Sequence, residues 1–230
     1  MPPIRNWESR VPLVTESVQV GTRQWHLAAA PTSESILAEA DRLGDLPFGY
    51  LLWESSLALA QTLASNPELV RGRRVLELGA GAGLPGLVAS TLGATVTQTD
   101  LSDDLLALAA HNAALNALSP LPAFAADWNI WSHTSQYDAL IGADILYAPQ
   151  THSSLEAIFS RNLAPGGLLL IADPGRSRAL EFAGRLETSG WQLDLTTQTV
   201  RLPGAWDHGQ TETFILRGTI PSPPLPSEQR

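Results

Sequence analysis

The chain contains no cysteine, which excludes disulfides and thiolate metal sites. Histidine is sparse: His26, His111, His133, His152 and His208 are scattered without metal-ligand spacing, so no metal is expected. Lysine is missing altogether, and all fourteen basic residues are arginine, a bias that an Ala-, Arg- and Pro-rich genome explains. The net charge of -9 removes the long-range attraction to a phosphate backbone on which nucleic-acid binding rests. Arg71, Arg73 and Arg74 cluster, but they precede an apolar strand and read as a solvated turn. No run of about 18 apolar residues is present, and the start Met1–Glu8 lacks the basic-then-apolar order of a secretory signal. A cytoplasmic protein without a membrane partner is therefore expected. Repeats with periods of roughly 20 to 50 residues are absent too, which sets solenoids and propellers aside.

What is present is enough apolar material for one sizeable core, 44% of 230 residues. Its most informative stretch is Val75–Gly86, a buried strand running into a glycine-rich turn that opens a helix. An apolar run of this kind suits a parallel strand covered on both faces, and glycines remove the side chains that keep a ligand from the backbone. Gly81–Gly86 satisfies the dinucleotide fingerprint, in which a pyrophosphate sits on the helix N-terminus. Glu77 argues for another ligand. A carboxylate at the strand end repels a pyrophosphate and attracts the cationic amino and sulfonium groups of S-adenosylmethionine. Thr95–Asp100 reads as a second strand, ending in an acid 17 residues past Gly83, about where such units place a ribose-binding carboxylate.

Strands and helices alternate from Arg74 onward: strand 74–79, helix 84–92, strand 94–99, helix 103–116, strands 122–127 and 139–146, helix 153–163, strand 167–172 and helix 178–189. That rhythm predicts an α/β fold with a doubly wound parallel sheet. Two last strands near 192–202 and 211–219 form an antiparallel hairpin, the second inserting beside the fifth strand of the series. Ahead of them a helix is expected over 55–64. Residues 1–50 read as an accessory segment, with a hairpin around Gly21-Thr22 and a helix over 33–43 capped by Ser33 or Ser35. The domain proper covers 51–220. Four prolines in the ten residues of 221–230 keep that tail out of any ladder, and it is expected to be disordered.

Taken together, Glu77-Leu78-Gly79-Ala80-Gly81-Ala82-Gly83, Asp100 and Leu163–Gly167 resemble the class I, seven-β-strand methyltransferases over roughly Arg71 to Ile220. Leu52-Trp53-Glu54-Ser55-Ser56, Asp127-Trp128 and Asp144-Ile145-Leu146-Tyr147 narrow the resemblance to methyltransferase family 16, which is rich in protein-lysine methyltransferases and includes nicotinamide methylation. Ala172–Arg176 and Asn66–Gly72 are most similar to the electron-transfer flavoprotein β-subunit lysine methyltransferases of that family.

The resemblance implies S-adenosyl-L-methionine as cofactor, held by Trp53, Glu77, Gly79, Gly81, Gly83, Asp100, Asp127, Trp128 and Asp144. Gly79, Gly81 and Gly83 let the backbone approach the methionine part, Asp100 takes the ribose hydroxyls, and Asp127 with Trp128 serves the adenine. Asp144 and Tyr147 become the catalytic pair at the edge where open α/β sheets bind ligands. Asp173 and Arg176 share that edge, although Asp-Pro-Gly is also an ordinary turn sequence. His152 reads as a surface residue at a helix start.

A lysine amine, with a reference pKa of about 10.4, must shed its proton before attack, and an aromatic channel lined by Tyr147 and Trp53 favours the neutral form. The expected partner is a protein lysine, or else a small amine. A non-catalytic donor-binding module and an NAD-dependent oxidoreductase are the further alternatives; the latter leaves Glu77 unexplained. The prolines that follow the fourth-strand acid in nucleic-acid amino-methyltransferases are missing here.

Overall fold

The computed structural model describes residues 11–36 and 48–220. Two antiparallel strands come first, β1 (Val14–Val20) and β2 (Arg23–Ala29), turning at residues 21–22 as the sequence suggests. Helical backbone opens at 33–36, where the Thr32 Oγ1 rather than Ser33 or Ser35 accepts from the chain, taking the Ser35 N–H at 3.2 Å. The remainder of the helix expected over 33–43, and the tail expected to be disordered, lie outside the described residues.

Helix α1 (Glu54–Ser65) leads into the main sheet. Its elements follow as β3 (Arg74–Leu78), α2 (Leu84–Thr91), β4 (Thr95–Asp100), α3 (Asp103–Leu115), β5 (Ala123–Ala125), β6 (Tyr137–Ala143), α4 (His152–Asn162), β7 (Leu163–Asp173), α5 (Ser177–Thr188), β8 (Gln192–Val200) and β9 (Thr211–Thr219). The seven strands lie in the order β5-β4-β3-β6-β7-β9-β8. All pairs are parallel except those of β9, which runs antiparallel to both β7 and β8. The last strand thus inserts beside the fifth parallel one, as expected.

Strand alternation sorts the core into two faces. Val75, Leu168, Leu170 and Ala172 pack with α1, α2 and the β1–β2 hairpin. Leu76, Leu78, Leu169 and Ile171 pack with α4 and α5. Strands covered on both faces read as unbroken apolar runs, and each fully buried Leu or Ile contributes about 1.5–3 kcal/mol. α3 is started by Ser102, whose Oγ accepts from the Asp104 N–H, and carries Asp103 and Asp104 in its first turn, where acids suit the helix dipole.

Three expected boundaries shift for identifiable reasons. The strand expected over 139–146 ends at Ala143, because Asp144 takes a left-handed φ of 59° and turns the chain. The strand expected over 122–127 stops at Ala125, and Asp127 instead caps a 3-10 turn by accepting from the Asn129 N–H. The strand expected over 167–172 starts at Leu163 and carries Pro165-Gly166-Gly167 within it, with a register shift between Tyr137 and Ala139 on β6.

Candidate active site

The carboxyl ends of β3, β4 and β6 open into one cleft of about 780 Å³, within the range of small-molecule sites. Trp53, Glu77, Gly79, Gly81, Asp100, Asp127, Trp128, Asp144 and Tyr147 all line it. Gly83 is the exception among the expected residues. It is the N-cap of α2 at a φ of 83°, and a Cβ there would lie 2.8 Å from the Ala109 Cβ and 3.0 Å from the Gln98 Nε2. Its missing side chain therefore serves the packing of α2 on its neighbours rather than the lining of the cleft.

The glycine turn is shaped by contacts that leave no room for side chains. A Cβ on Gly81 (φ 51°) would lie 2.9 Å from the Gly49 carbonyl oxygen, and the Gly81 N–H donates to Asp100 Oδ2 at 2.9 Å. The other Asp100 oxygen accepts from the Leu101 N–H at 2.7 Å. Burial raises the Asp100 pKa, and the hydrogen bond from Gly81 opposes it.

Glu77 is held on both oxygens. Oε1 accepts from the Gly86 N–H at 3.0 Å and Oε2 from the Gln98 Nε2 at 2.7 Å. Burial pushes its carboxyl up to about 7. The N-terminus of α2, where a dinucleotide pyrophosphate would sit, is therefore already taken by this protein's own carboxylate.

At the other end of the cleft, Asp144 is buried and its Oδ1 lies 2.6 Å from the Arg176 Nη1. The same nitrogen donates to Asp173 Oδ2 at 3.0 Å. Burial raises the Asp144 pKa, with the Arg176 hydrogen bond and charge acting against it. Tyr147 is 51% exposed; its phenol is raised by burial and then by the charges of Asp100 and Asp144. Trp53 is anchored by its Nε1–H on the Phe48 carbonyl at 3.1 Å.

Arg176, placed by the sequence on the ligand edge but assigned neither a catalytic nor a cofactor role there, lines the cleft. Its spacing from Asp173, three residues after a strand end, is the signal the sequence offers. The surface reading of His152 is corrected: it is 2% exposed, and its Nε2–H donates to the Leu146 carbonyl at 3.0 Å while Nδ1 accepts from Arg185 at 2.9 Å. Nε2 braces the Asp144–Tyr147 loop from behind, and Nδ1 ties the ring to Arg185 on α5. Among the described residues no group of His, Asp or Glu is arranged to hold a metal ion, and no helix is long and apolar enough to cross a membrane.

This sheet, with its reversed last strand and a cleft over the glycine turn, defines the class I methyltransferase fold. The glycopeptide N-methyltransferase MtfA, solved with S-adenosyl-L-homocysteine, superposes with a TM-score of 0.55 over 73% of this chain and 90% of its own, at 15% identity. The ribosomal protein L11 methylase of Lactobacillus delbrueckii subsp. bulgaricus gives 0.52 over 70% and 75%, at 20% identity.

The chain belongs to the lysine methyltransferase family, methyltransferase family 16, whose model matches residues 32–187. The electron transfer flavoprotein beta subunit lysine methyltransferase of Danio rerio is 34% identical over 137 residues, 57% of this chain and 52% of that protein. EEF1A lysine methyltransferase 3 of Mus musculus is 32% identical over 154 residues, covering 63% and 64%. The protein N-terminal and lysine N-methyltransferase EFM7 of Eremothecium gossypii is 33% identical over 180 residues, 68% of each chain. The chain spans about half the length of the curated electron transfer flavoprotein beta subunit lysine methyltransferases it matches, 52% and 53%.

Proposed function

We propose that the protein is an S-adenosylmethionine-dependent N-methyltransferase that modifies a lysine side chain of another protein. The observation that carries the reading is one cleft with a turn of glycines and alanines and the buried Asp100 at one end and Asp144 with Tyr147 at the other. The residues fit the donor: a Cβ would close the Gly81 cradle against the Gly49 carbonyl, and Glu77 fills the helix end that an NAD pyrophosphate requires. Relatives named for methylating lysines of an electron-transfer flavoprotein and of EEF1A support a protein acceptor.

When bound, S-adenosylmethionine supplies an electrophilic methyl group on a sulfonium whose leaving group is a neutral thioether, so no acid is needed to help it depart. The turn at Gly79 and Gly81 and the carboxylates of Asp100 and Asp127 hold the donor, with Trp53 and Trp128 as walls. Tyr147 and Trp53 exclude water from the acceptor's path, which favours the neutral amine. Asp144 commits Oδ1 to Arg176 and uses its second oxygen to orient the amine by accepting an N–H. Arg176 offsets the negative charge that would otherwise hold the lysine as an ammonium.

The test is incubation of the purified protein with methyl-labelled donor and a host lysate, separated into protein, nucleic-acid and small-molecule fractions. Label on one protein band, at lysine, with Asp144→Ala losing transfer but keeping donor affinity within a few-fold, is the expected result. Label confined to small molecules would move the acceptor to a metabolite amine. Donor binding without label anywhere would make the protein a non-catalytic module.

A further inference from the structure

The β1–β2 hairpin is joined to the main domain through two asparagines one turn apart, Asn112 on α3 and Asn116 at its C-cap. Asn116 Oδ1 accepts from the His26 N–H at 3.0 Å, and its Nδ2 donates to the His26 carbonyl at 2.7 Å. Asn112 repeats the arrangement at Ala28: Oδ1 takes the N–H at 2.7 Å and Nδ2 gives to the carbonyl at 3.1 Å. Each carboxamide presents one acceptor and one donor at the spacing of alternate strand residues, and so stands in for the neighbouring strand that this edge of β2 lacks. Beyond them the Ala30 N–H donates to the Tyr50 carbonyl at 2.8 Å, just before Trp53 in the cleft wall.

Asn112 does one thing that Asn116 does not. Its second amide hydrogen goes to the carbonyl of Ala82 at 2.9 Å, inside the glycine turn and next to Gly81, whose N–H holds Asp100. Asn112 is fully buried, so without it the Ala28 N–H, the Ala28 carbonyl and the Ala82 carbonyl all lose a partner that water cannot readily replace.

We propose that Asn112 is a positioning residue that couples seating of the N-terminal hairpin to the shape of the donor-binding turn. This rests on reading the cleft as the S-adenosylmethionine site. Seating the hairpin fixes the Ala82 peptide and with it the Gly81 amide; by reciprocity, occupancy of the turn tightens the hairpin. The hairpin is then part of the donor site although none of its residues lines the cleft.

Amide hydrogen exchange and calorimetry with S-adenosylhomocysteine as the probe decide the matter. In the wild-type protein, saturating S-adenosylhomocysteine slows exchange of the Ala28 amide by roughly ten-fold, the middle of the usual range of coupling between sites. Asn112→Ala weakens S-adenosylhomocysteine binding by about the same factor, whereas Asn116→Ala, which loosens the hairpin without touching the turn, weakens it by less than about three-fold. The exchange measurement needs no variant and stands even where Asn112→Ala does not fold. Binding to the wild type with Ala28 exchange unaltered, or equal losses in the two folded variants, overturns the coupling alone. Absence of any binding to the wild type overturns the donor-site reading and the coupling together.

Discussion

Arg176 and Asp144 form the closest ion pair in the cleft, with Nη1 2.6 Å from Oδ1, and the same guanidinium nitrogen reaches Asp173 at 3.0 Å. One cation is thus shared by two buried carboxylates from the ends of neighbouring strands. Taking a lone carboxylate out of water is costly, and a hydrogen-bonded partner is the usual remedy. The pair also bears on catalysis. An unpaired carboxylate beside an incoming lysine would hold it as an unreactive ammonium, whereas a paired one can orient the amine with less of that effect.

Removing the cation without changing the shape of the site therefore has a definite expected outcome. Arg176→Gln should lower kcat by roughly ten-fold or more while leaving the Kd for S-adenosylhomocysteine within about three-fold, because misplacement at the reacting centre acts on the chemical step. The sign of the pH effect also follows. Loss of a nearby cation raises the pKa of the bound amine, so the rising limb of the kcat-pH profile should move to higher pH. A pH profile that stays in place would show that Arg176 acts only by packing.

Gly81 is the position where the turn tolerates least. Its φ of 51° and the 2.9 Å that would separate an added Cβ from the Gly49 carbonyl oxygen combine left-handed backbone strain of about 1–2 kcal/mol with a clash against backbone. Gly81→Ala should weaken S-adenosylhomocysteine binding by at least about ten-fold in calorimetry, whereas Gly184→Ala, on the outside of α5 with nothing within 4 Å, should leave it unchanged. Equal affinity in the two variants would remove the turn from the site.

Asp100 tests the polar end of the cleft. Both of its oxygens accept backbone N–H groups, from Gly81 and from Leu101. In Asp100→Asn one of these donors must face an amide NH2, which cannot accept. The expected result is a folded protein whose S-adenosylhomocysteine affinity falls by roughly ten-fold or more. Retained affinity would mean that the carboxylate serves only to pin the turn.

Much of this was legible in the sequence because it is local. The run Leu168–Ala172 is buried on both faces and shows no alternation, as a central parallel strand should, and the glycine turn with Asp100 beyond it is a pattern of fixed spacing. What stayed hidden depends on partners far along the chain. Ile145 and Leu146 look like the continuation of β6, yet after the turn at Asp144 they pack into the core against α4 and α5. His152 beside two serines looks solvated, but Leu146 and Arg185, 6 and 33 residues away, bury it. Asn112 gives no local sign of its role, since Ala28 lies 84 residues upstream. The choice of Asp144 and Asp173 as joint partners of Arg176 is likewise made by strand order, which brings the ends of β6 and β7 side by side.

Glu77 links the site to stability. Burial lifts its carboxyl from 4.5 to about 7, so between those values the folded protein holds a proton that the unfolded chain has released. Stability then falls as pH rises through this window and levels off above it, which is the opposite of the usual salt-bridged carboxylate. The shift corresponds to roughly 3 kcal/mol as an upper limit, and the buried Asp100, also raised, acts in the same direction. Glu77→Gln removes the titrating group and keeps an acceptor for the Gly86 N–H, while Gln98 must turn its amide over to offer Oε1 to the new NH2. Thermal unfolding followed from about pH 5 to about pH 8.5 should show the wild-type Tm declining across the window, and Glu77→Gln declining less. Parallel curves for the two proteins would mean that Glu77 stays ionised throughout, its charge stabilised by Gly86 and Gln98 more strongly than burial opposes it.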